Sequence, residues 1–505
     1  MKQQSSIPSI IVGLLLSLAL LPLLMMFFNT VYTSEGFSIS TYKTLFLSPT
    51  LWHSFQNSLI LSLFVAIFST LIGVVLGLIL GKTNLRFRFG VLTILLIPLL
   101  IPPYILAYSW FTLLGSYPLL FSFGGTAFIL FSVYLPIPIL ITMLFLKQIN
   151  PKMEEAALLN VTWRGVLRHV TLPLIFPAVL FSFLLVFMLS FGEFSVANFL
   201  RYPIFPMESF TQFSAFYDFK LATVTAMPML VLAFIVIALQ KLNLEQPLRF
   251  SAPQHYLEID LKDKEKPFFT VILLFIAIIV LLPLFSLCMQ VDIKSFILAF
   301  QKAIAPLGRS ILFATLGATS LVFFGFLSAY LTAQNNKYAT LFNTTILLLF
   351  ILPSTLIGIA LILFYNTPYT NFIYATPLII LFAYTVKYLF LSSKIIEKKL
   401  VQIPHSLIES AKLSGASWRQ IIWFIVLPLT KDALIVAWIV GFIFSLREST
   451  LTMLVYPAGS DTLPLYIFTQ MANGDPKIIA SLCLIMILLV ILPLSIYLTL
   501  KRVRT

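Results

Sequence analysis

Two cysteines in 505 residues, Cys288 and Cys483, leave no basis for a disulfide framework or a paired-cysteine metal or redox site. The four histidines, His53, His169, His255 and His405, all fall in or beside polar stretches, so no apolar segment holds a histidine cluster for a metal. Charge is scarce: 10% of residues are Asp, Glu, Lys or Arg, against 60% hydrophobic ones. A soluble globular domain does not carry that many apolar side chains. Short alternating segments are also missing. The apolar runs are long and unbroken, which excludes a membrane β-barrel and leaves a helical, polytopic membrane protein. The net charge of +14 does not point to nucleic acid, because no basic patch with interleaved exposed aromatics accompanies it. It fits the basic loops that set membrane orientation. No paired carboxylates stand at helical i, i+4 spacing in an apolar run, and Ser, His and Asp come together only in separate loops. The residues therefore carry no catalytic set and no resident cofactor, and the chain does not read as an enzyme.

Twelve runs reach the ~20 apolar residues that cross a ~30 Å hydrocarbon core. They cover 9–31, 57–81, 89–114, 124–146, 173–196 and 222–241, then 267–289, 309–333, 340–364, 373–393, 429–447 and 477–500. Pro136, Pro138 and Pro377 interrupt or bound the fourth and tenth. The first run is too long for the apolar part of a signal peptide and lacks a small-residue cleavage site, so it reads as an uncleaved span. With the N-terminus inside, 24 of the 32 Lys and Arg fall in inner loops and tails, Lys387 counted among them. That bias puts both termini in the cytoplasm. The 49 phenylalanines at helical spacing read as lipid and core contacts, and Trp52, Tyr108 and Trp110 as interface anchors. Gly73, Gly77 and Gly81 recur every four residues and predict close helix packing. Gly81-Lys82-Thr83 ends like a phosphate-binding loop, but Leu76 stands where its first glycine belongs and no strand precedes it.

One stretch occurs twice. Glu154-Glu155-Ala156-Ala157-Leu158-Leu159-Asn160-Val161-Thr162-Trp163-Arg164 leads to Leu172-Pro173. Glu409-Ser410-Ala411-Lys412-Leu413-Ser414-Gly415-Ala416-Ser417-Trp418-Arg419 leads to Leu427-Pro428. A repeat at half the chain length means two related halves. Six spans per half is an even number, so the halves run parallel, related by an axis along the membrane normal. The expected organisation is a first half over 1–241, a polar cytoplasmic linker over 242–266 and a second half over 267–505. Each copy reads as a short helix, a sharp left-handed turn at Asn160 or Gly415, then a second helix leading into a span. The loops run over about 147–172 and 397–427. They lie on the cytoplasmic side and present Glu154, Glu155, Ala156, Ala157, Glu409, Ala411 and Ala416 to a partner. The plainer reading is an amphipathic helix lying on the membrane.

The pattern Glu-x-Ala, Gly-Ala-Ser, Leu-Pro resembles the coupling loop of ABC importer permeases of the binding-protein-dependent type. The second copy carries Glu409, Ala411, Gly415, Ala416, Ser417, Leu427 and Pro428 in place; the first departs at Asn160, where glycine is usual. The resemblance covers the whole chain as two fused permease halves and implies an all-α integral membrane protein of about twelve transmembrane helices, the MetI-like permease fold duplicated, with the first helix of each half wrapping the other. Ile101-Pro102-Pro103-Tyr104, Ser190-Phe191-Gly192-Glu193-Phe194-Ser195 and Ser445-Leu446-Arg447-Glu448-Ser449-Thr450 are similar to the fused ferric-iron permeases. The resemblance implies partners: two ABC ATPase subunits that hold ATP and magnesium, an extracytoplasmic substrate-binding protein, membrane lipid and no nucleic acid. It implies the bacterial cytoplasmic membrane and, as cargo, ferric iron, with thiamine, phosphonate, polyamine or molybdate as alternatives. An ion-gradient-driven transporter is the alternative of a different class; it would carry midplane acids or histidines and inverted repeats. Glu193 and Glu448 are also 255 residues apart, each ~30 Å along its helix from the Leu-Pro. That places both near the outer membrane boundary, where they are candidate lining of the mouth of a cation-favouring translocation path, with Arg447 and Tyr104; the plainer reading is interface carboxylates that pair with Arg201 or Arg447 or touch the binding protein.

Overall fold

The computed structural model describes residues 6–33, 36–37, 40–115, 117–243, 257–261, 265–333 and 338–504. These are helical almost throughout; their only sheet is a two-residue pairing of Tyr32–Thr33 with Gly36–Phe37. Among the described residues, ten helices are long and apolar enough to cross a membrane. Two bent pairs raise the number to twelve if each counts as one span: Arg88–Leu100 with Pro103–Leu114, bent by 97°, and Ala339–Ile351 with Ser354–Tyr365, bent by 104°.

The third and ninth apolar runs are therefore not straight spans. Proline explains both breaks. Pro102 and Pro103 in one pair, and Pro353 in the other, cannot donate to the preceding turn. The residue before each is pushed out of helix, with ψ 155° at Ile101 and 139° at Leu352. Both breaks leave backbone carbonyls inside the protein that need other donors.

The element order recurs along the chain. Helices Pro151–Leu158 and His405–Leu413 open the two elbows. Each elbow runs through a π-helical turn, Leu167–Thr171 or Ile422–Val426, into a long helix, Leu172–Phe191 or Leu427–Arg447. A third π turn, Ala277–Leu281, likewise precedes Leu282-Pro283. A wide turn is a sound local solution, because a proline one residue into the next helix has no N–H and crowds the carbonyl four residues back. Hydrogen bonds repeat as well. The Phe205 N–H donates to Ser58 Oγ at 2.7 Å, and the Leu463 N–H to Ser310 Oγ at 2.6 Å. Asn57 Nδ2 donates to the Pro203 carbonyl at 3.2 Å, and Arg309 Nε to that of Asp461 at 2.8 Å.

The halves interlock. The first helix, Ser6–Val31, packs on Ser354–Tyr365, and Leu282–Gln290 packs on Pro103–Leu114. Tyr365 Oη donates to the Leu18 carbonyl at 3.3 Å, and Ser286 Oγ to the Ser109 carbonyl at 2.8 Å. Tyr108 and Trp110 are buried within the protein and so are not interface anchors, whereas Trp52 is half exposed. Lys387 is not in a loop either. It lies buried within the Leu378–Leu400 helix, which leaves 23 of the 32 basic residues in the expected inner set (24 less one).

Of the linker, 244–256 and 262–264 lie outside the described residues. Its Ile259 bridges to Thr83, Arg88 pairs with Glu258 at 2.7 Å, and Asn84 Nδ2 donates to Asp260 at 2.8 Å. This pins the segment to the turn after the Pro49–Lys82 helix.

The glycine ladder of that helix packs on Pro136–Leu146. A Cβ on Gly73 would stand 2.5 Å from Pro138, one on Gly77 2.7 Å from Thr142, and one on Gly81 2.9 Å from Leu146. Gly77→Leu is expected to cost about 1–3 kcal/mol through overpacking, read as a lower melting midpoint in detergent. Gly13→Leu, where a Cβ meets nothing within 4 Å, is the control and should leave the midpoint in place.

Candidate functional site

The two elbows lie at one end of the bundle; Lys147, ahead of the first, is within electrostatic range of Lys398, ahead of the second. In the second, Gly415 takes φ +80°, and its N–H closes on the Lys412 carbonyl at 3.0 Å. A capping box then starts the next helix, with Ser417 and Gln420 bonded reciprocally. Asn160 turns differently. It is not among the residues with positive φ, and the turn there is closed by the Asn160 and Val161 N–H groups on the Ala157 carbonyl, both at 3.0 Å. The expectation of a left-handed Asn160 is therefore corrected: two successive N–H groups on one carbonyl end this helix without needing positive φ.

The structure divides the elbow residues by exposure. Glu155, Ala156, Asn160, Glu409 and Gly415 are exposed, while Ala157, Ala411 and Ala416 are half-buried. Ala411 and Ala416 pack against an apolar cluster that includes Ile396, Leu400 and Ile421, so they let the elbow lie close to its own core. Glu154 is fully buried, because Lys82 and Thr171 enclose its carboxylate. At the turns, Leu159 is 86% and Leu413 89% exposed, apolar knobs that the sequence pattern did not single out.

A second constellation joins the halves deep in the bundle. Each carboxylate caps the short helix after it. Glu193 accepts from the Ser195 N–H at 3.3 Å, Ser195 Oγ at 2.5 Å and the Val196 N–H at 3.2 Å. Glu448 accepts from the Leu451 N–H at 2.8 Å and from Tyr388 Oη. Negative charge suits a helix N-terminus. Both acids are nearly buried, at 9% and 8% exposure. Arg447 is within electrostatic range of Glu193, and Tyr134 is within range of Glu193, Arg447 and Glu448.

The arginine also reaches across the halves. Its guanidinium donates to the Leu99 carbonyl at the first helix break and stacks on Phe444, 4.9 Å from the ring centre. Lys387 donates to the Leu352 carbonyl at the second break and lies within electrostatic range of Glu448. The carbonyls at the two breaks are thus met by a half-buried arginine and a buried lysine. Gly192, 255 residues before Arg447 (447 − 192), instead packs its bare Cα on Pro353; an added Cβ would lie 3.0 Å away. The arrangement is twofold in acids and not in bases. Both cations come from the second half.

Tyr104 is fully buried, and its hydroxyl donates to the Pro464 carbonyl at 3.1 Å, so it ties the halves together. The seam between Phe194, Ser195, Ser449 and Thr450 has no room for water. Sequence reasoning missed Lys387, Tyr134 and Tyr388; a lysine inside an apolar run was the signal available. Among the described residues no group of three or more His, Cys, Asp or Glu is placed to hold a metal.

Residues 321–505 match the family model described as binding-protein-dependent transport system inner membrane component. The chain is 24% identical over 515 residues to a ferric transport system permease protein of Actinobacillus pleuropneumoniae, covering 92% of this chain and 74% of that protein. It is 23% identical over 484 residues to a putative ferric transport system permease protein of Haemophilus influenzae, covering 87% and 76%. A putrescine transport system permease protein of Escherichia coli is 30% identical over 93 residues, 18% of this chain and 33% of that one. Residues 321–505 are thus similar to the inner-membrane component of binding-protein-dependent transport systems, and over most of its length the chain is a multi-pass membrane protein similar to ferric transport permeases.

Proposed function

We propose that this chain is the translocation subunit of an ATP-driven importer of the bacterial cytoplasmic membrane, and that ferric iron is its cargo. Two ATPase subunits, which hold the ATP and magnesium, dock on the elbows, and an extracytoplasmic binding protein delivers the substrate to the far end. The elbows and both termini then face the cytoplasm. The observation that carries this reading is the pair of elbows: alike in sequence, placed at one end, each with an exposed leucine at its turn. A solvent-exposed leucine on an otherwise polar elbow fits a partner's apolar groove. Closure of the ATPases pushes the elbows together and shifts the population between inward-open and outward-open states.

Glu193, Glu448 and Arg447 then sit at a constriction of the path. Two acids, with the bases Arg447 and Lys387 in electrostatic range of one each, make it nearly electroneutral when closed. A cation entering it competes with Arg447 for the carboxylates. The mechanism needs no covalent step in this chain; it orients, neutralises and releases the cargo.

Uptake of radioactive ferric iron by cells expressing the chain with its neighbouring ATPase and binding protein tests the reading. Iron uptake that depends on the ATPase is the expected result. Uptake that persists without any ATPase overturns it. The similarity to a putrescine permease supports a polyamine as second cargo, and labelled putrescine in the same assay decides between them.

A further inference from the structure

The repeated acid of the two elbows has different surroundings in each. In the first, Lys82 Nζ donates to Glu154 Oε2 at 2.5 Å, and Thr171 Oγ1 donates to Glu154 Oε1 at 2.9 Å. All three side chains are at most 1% exposed. Lys82 is the last residue of the Pro49–Lys82 helix, and Thr171 closes the π turn that leads into Leu172–Phe191. One carboxylate therefore fastens the elbow to two spans at once.

Among the described residues, the second elbow has no such pair of donors on its acid. Thr171 corresponds, 255 residues on, to Val426, which is buried and has nothing to donate. Glu409 is exposed. A different lock holds this elbow: Trp418 Nε1 donates to Tyr330 Oη at 2.9 Å. The match of Ser58 with Ser310 sets an offset of 252 for this span (310 − 58), which places Leu78 where Tyr330 stands. Leucine cannot accept that bond. Each lock thus exists in one copy only. They also differ in kind. A buried, charge-assisted bond is shorter and roughly twice as strong as a neutral one, so the first elbow is the stiffer attachment.

Resting on the proposed ATPase docking, we propose that Glu154 is an internal strut, a positioning residue that carries the push on the first elbow into the Pro49–Lys82 and Leu172–Phe191 helices. Only the second elbow offers the acid of the repeat, Glu409, to a basic side chain of the ATPase groove. The first elbow's exposed acid is Glu155, about 100° further round the helix. The two grooves of the ATPase pair therefore meet different surfaces, and the elbows are mechanically unequal.

The test uses the full chain with its ATPase and binding protein in proteoliposomes. Glu409→Gln is expected to weaken ATPase association about tenfold, as loss of a charged contact to a partner does. Glu154→Gln and Lys82→Met keep association within about twofold, yet lower substrate moved per ATP hydrolysed about tenfold, the scale of one lost charge-assisted bond. The exchange Lys82→Glu with Glu154→Lys restores a large part of that ratio, which a loss of fold alone would not allow. If Glu154→Gln fails to accumulate, the exchange decides. An exchanged pair that folds and couples supports the strut, and one that does not couple overturns it. Glu154→Gln weakening association as much as Glu409→Gln, with Lys82→Met silent, also overturns it. If the permease reading itself is wrong, the unaltered chain shows no association and no coupling, which keeps the two failures apart.

Discussion

Arg447→Met is expected to destabilise the protein by roughly 3 kcal/mol, the low end of the range for removing one partner of a buried ionic group. Two groups lose their cation together, the Glu193 carboxylate and the Leu99 carbonyl at the helix break, and Glu448, next to Arg447 in the chain, is left with Lys387 alone. Methionine fills similar space without charge, so the loss is electrostatic and not a cavity. The half-exposed position of Arg447 keeps the cost from the top of the range. Uptake should fall with stability, because the guanidinium links the second half to the first half's bent pair. The triple variant Arg447→Met, Glu193→Gln, Glu448→Gln separates the causes. It removes the stranded charges and leaves glutamine carbonyls to cap the two short helices. Its melting midpoint should return most of the way, while cation uptake stays low. A triple variant as unstable as Arg447→Met places the effect in the Leu99 contact alone and sinks the shared-charge account.

The repeat was legible because polar residues stand out in an apolar chain. Glu154 and Glu409 aligned at sight, and so did Glu193 and Glu448. What surrounds them was not legible. Lys82 is 72 residues from Glu154 and Thr171 17 residues from it. No local pattern reports that one acid is enclosed and its counterpart free. The bent pairs escaped for another reason. Hydropathy sums over Ile97 to Tyr108 as if the chain were straight, and two prolines in an apolar run change direction without changing the sum. Lys387 was misplaced because a charge near the end of a run reads as loop. It is held inside by the Leu352 carbonyl, which only the break at Pro353 sets free.

Gly415→Pro should abolish ATPase association. Gly415 has φ +80°, and proline is fixed near −65°, so the turn cannot form around it. The substitution also removes the N–H that closes on the Lys412 carbonyl. A cost of about 3 kcal/mol for proline in a helix-ending turn would leave the elbow correctly shaped in about one molecule in a hundred. The damage is local, since a Cβ at this site meets nothing within 4 Å and the bundle below is untouched. A graded series checks the cause. Gly415→Asn should stay near the parent, because Asn tolerates the left-handed region, and Gly415→Ala should weaken association by roughly the 1–2 kcal/mol that other residues lose there. Asn160→Gly in the first elbow should change little, since that turn closes without positive φ. An alanine variant that associates like the parent, beside a proline variant that still binds, would show that the shape of this turn does not govern docking.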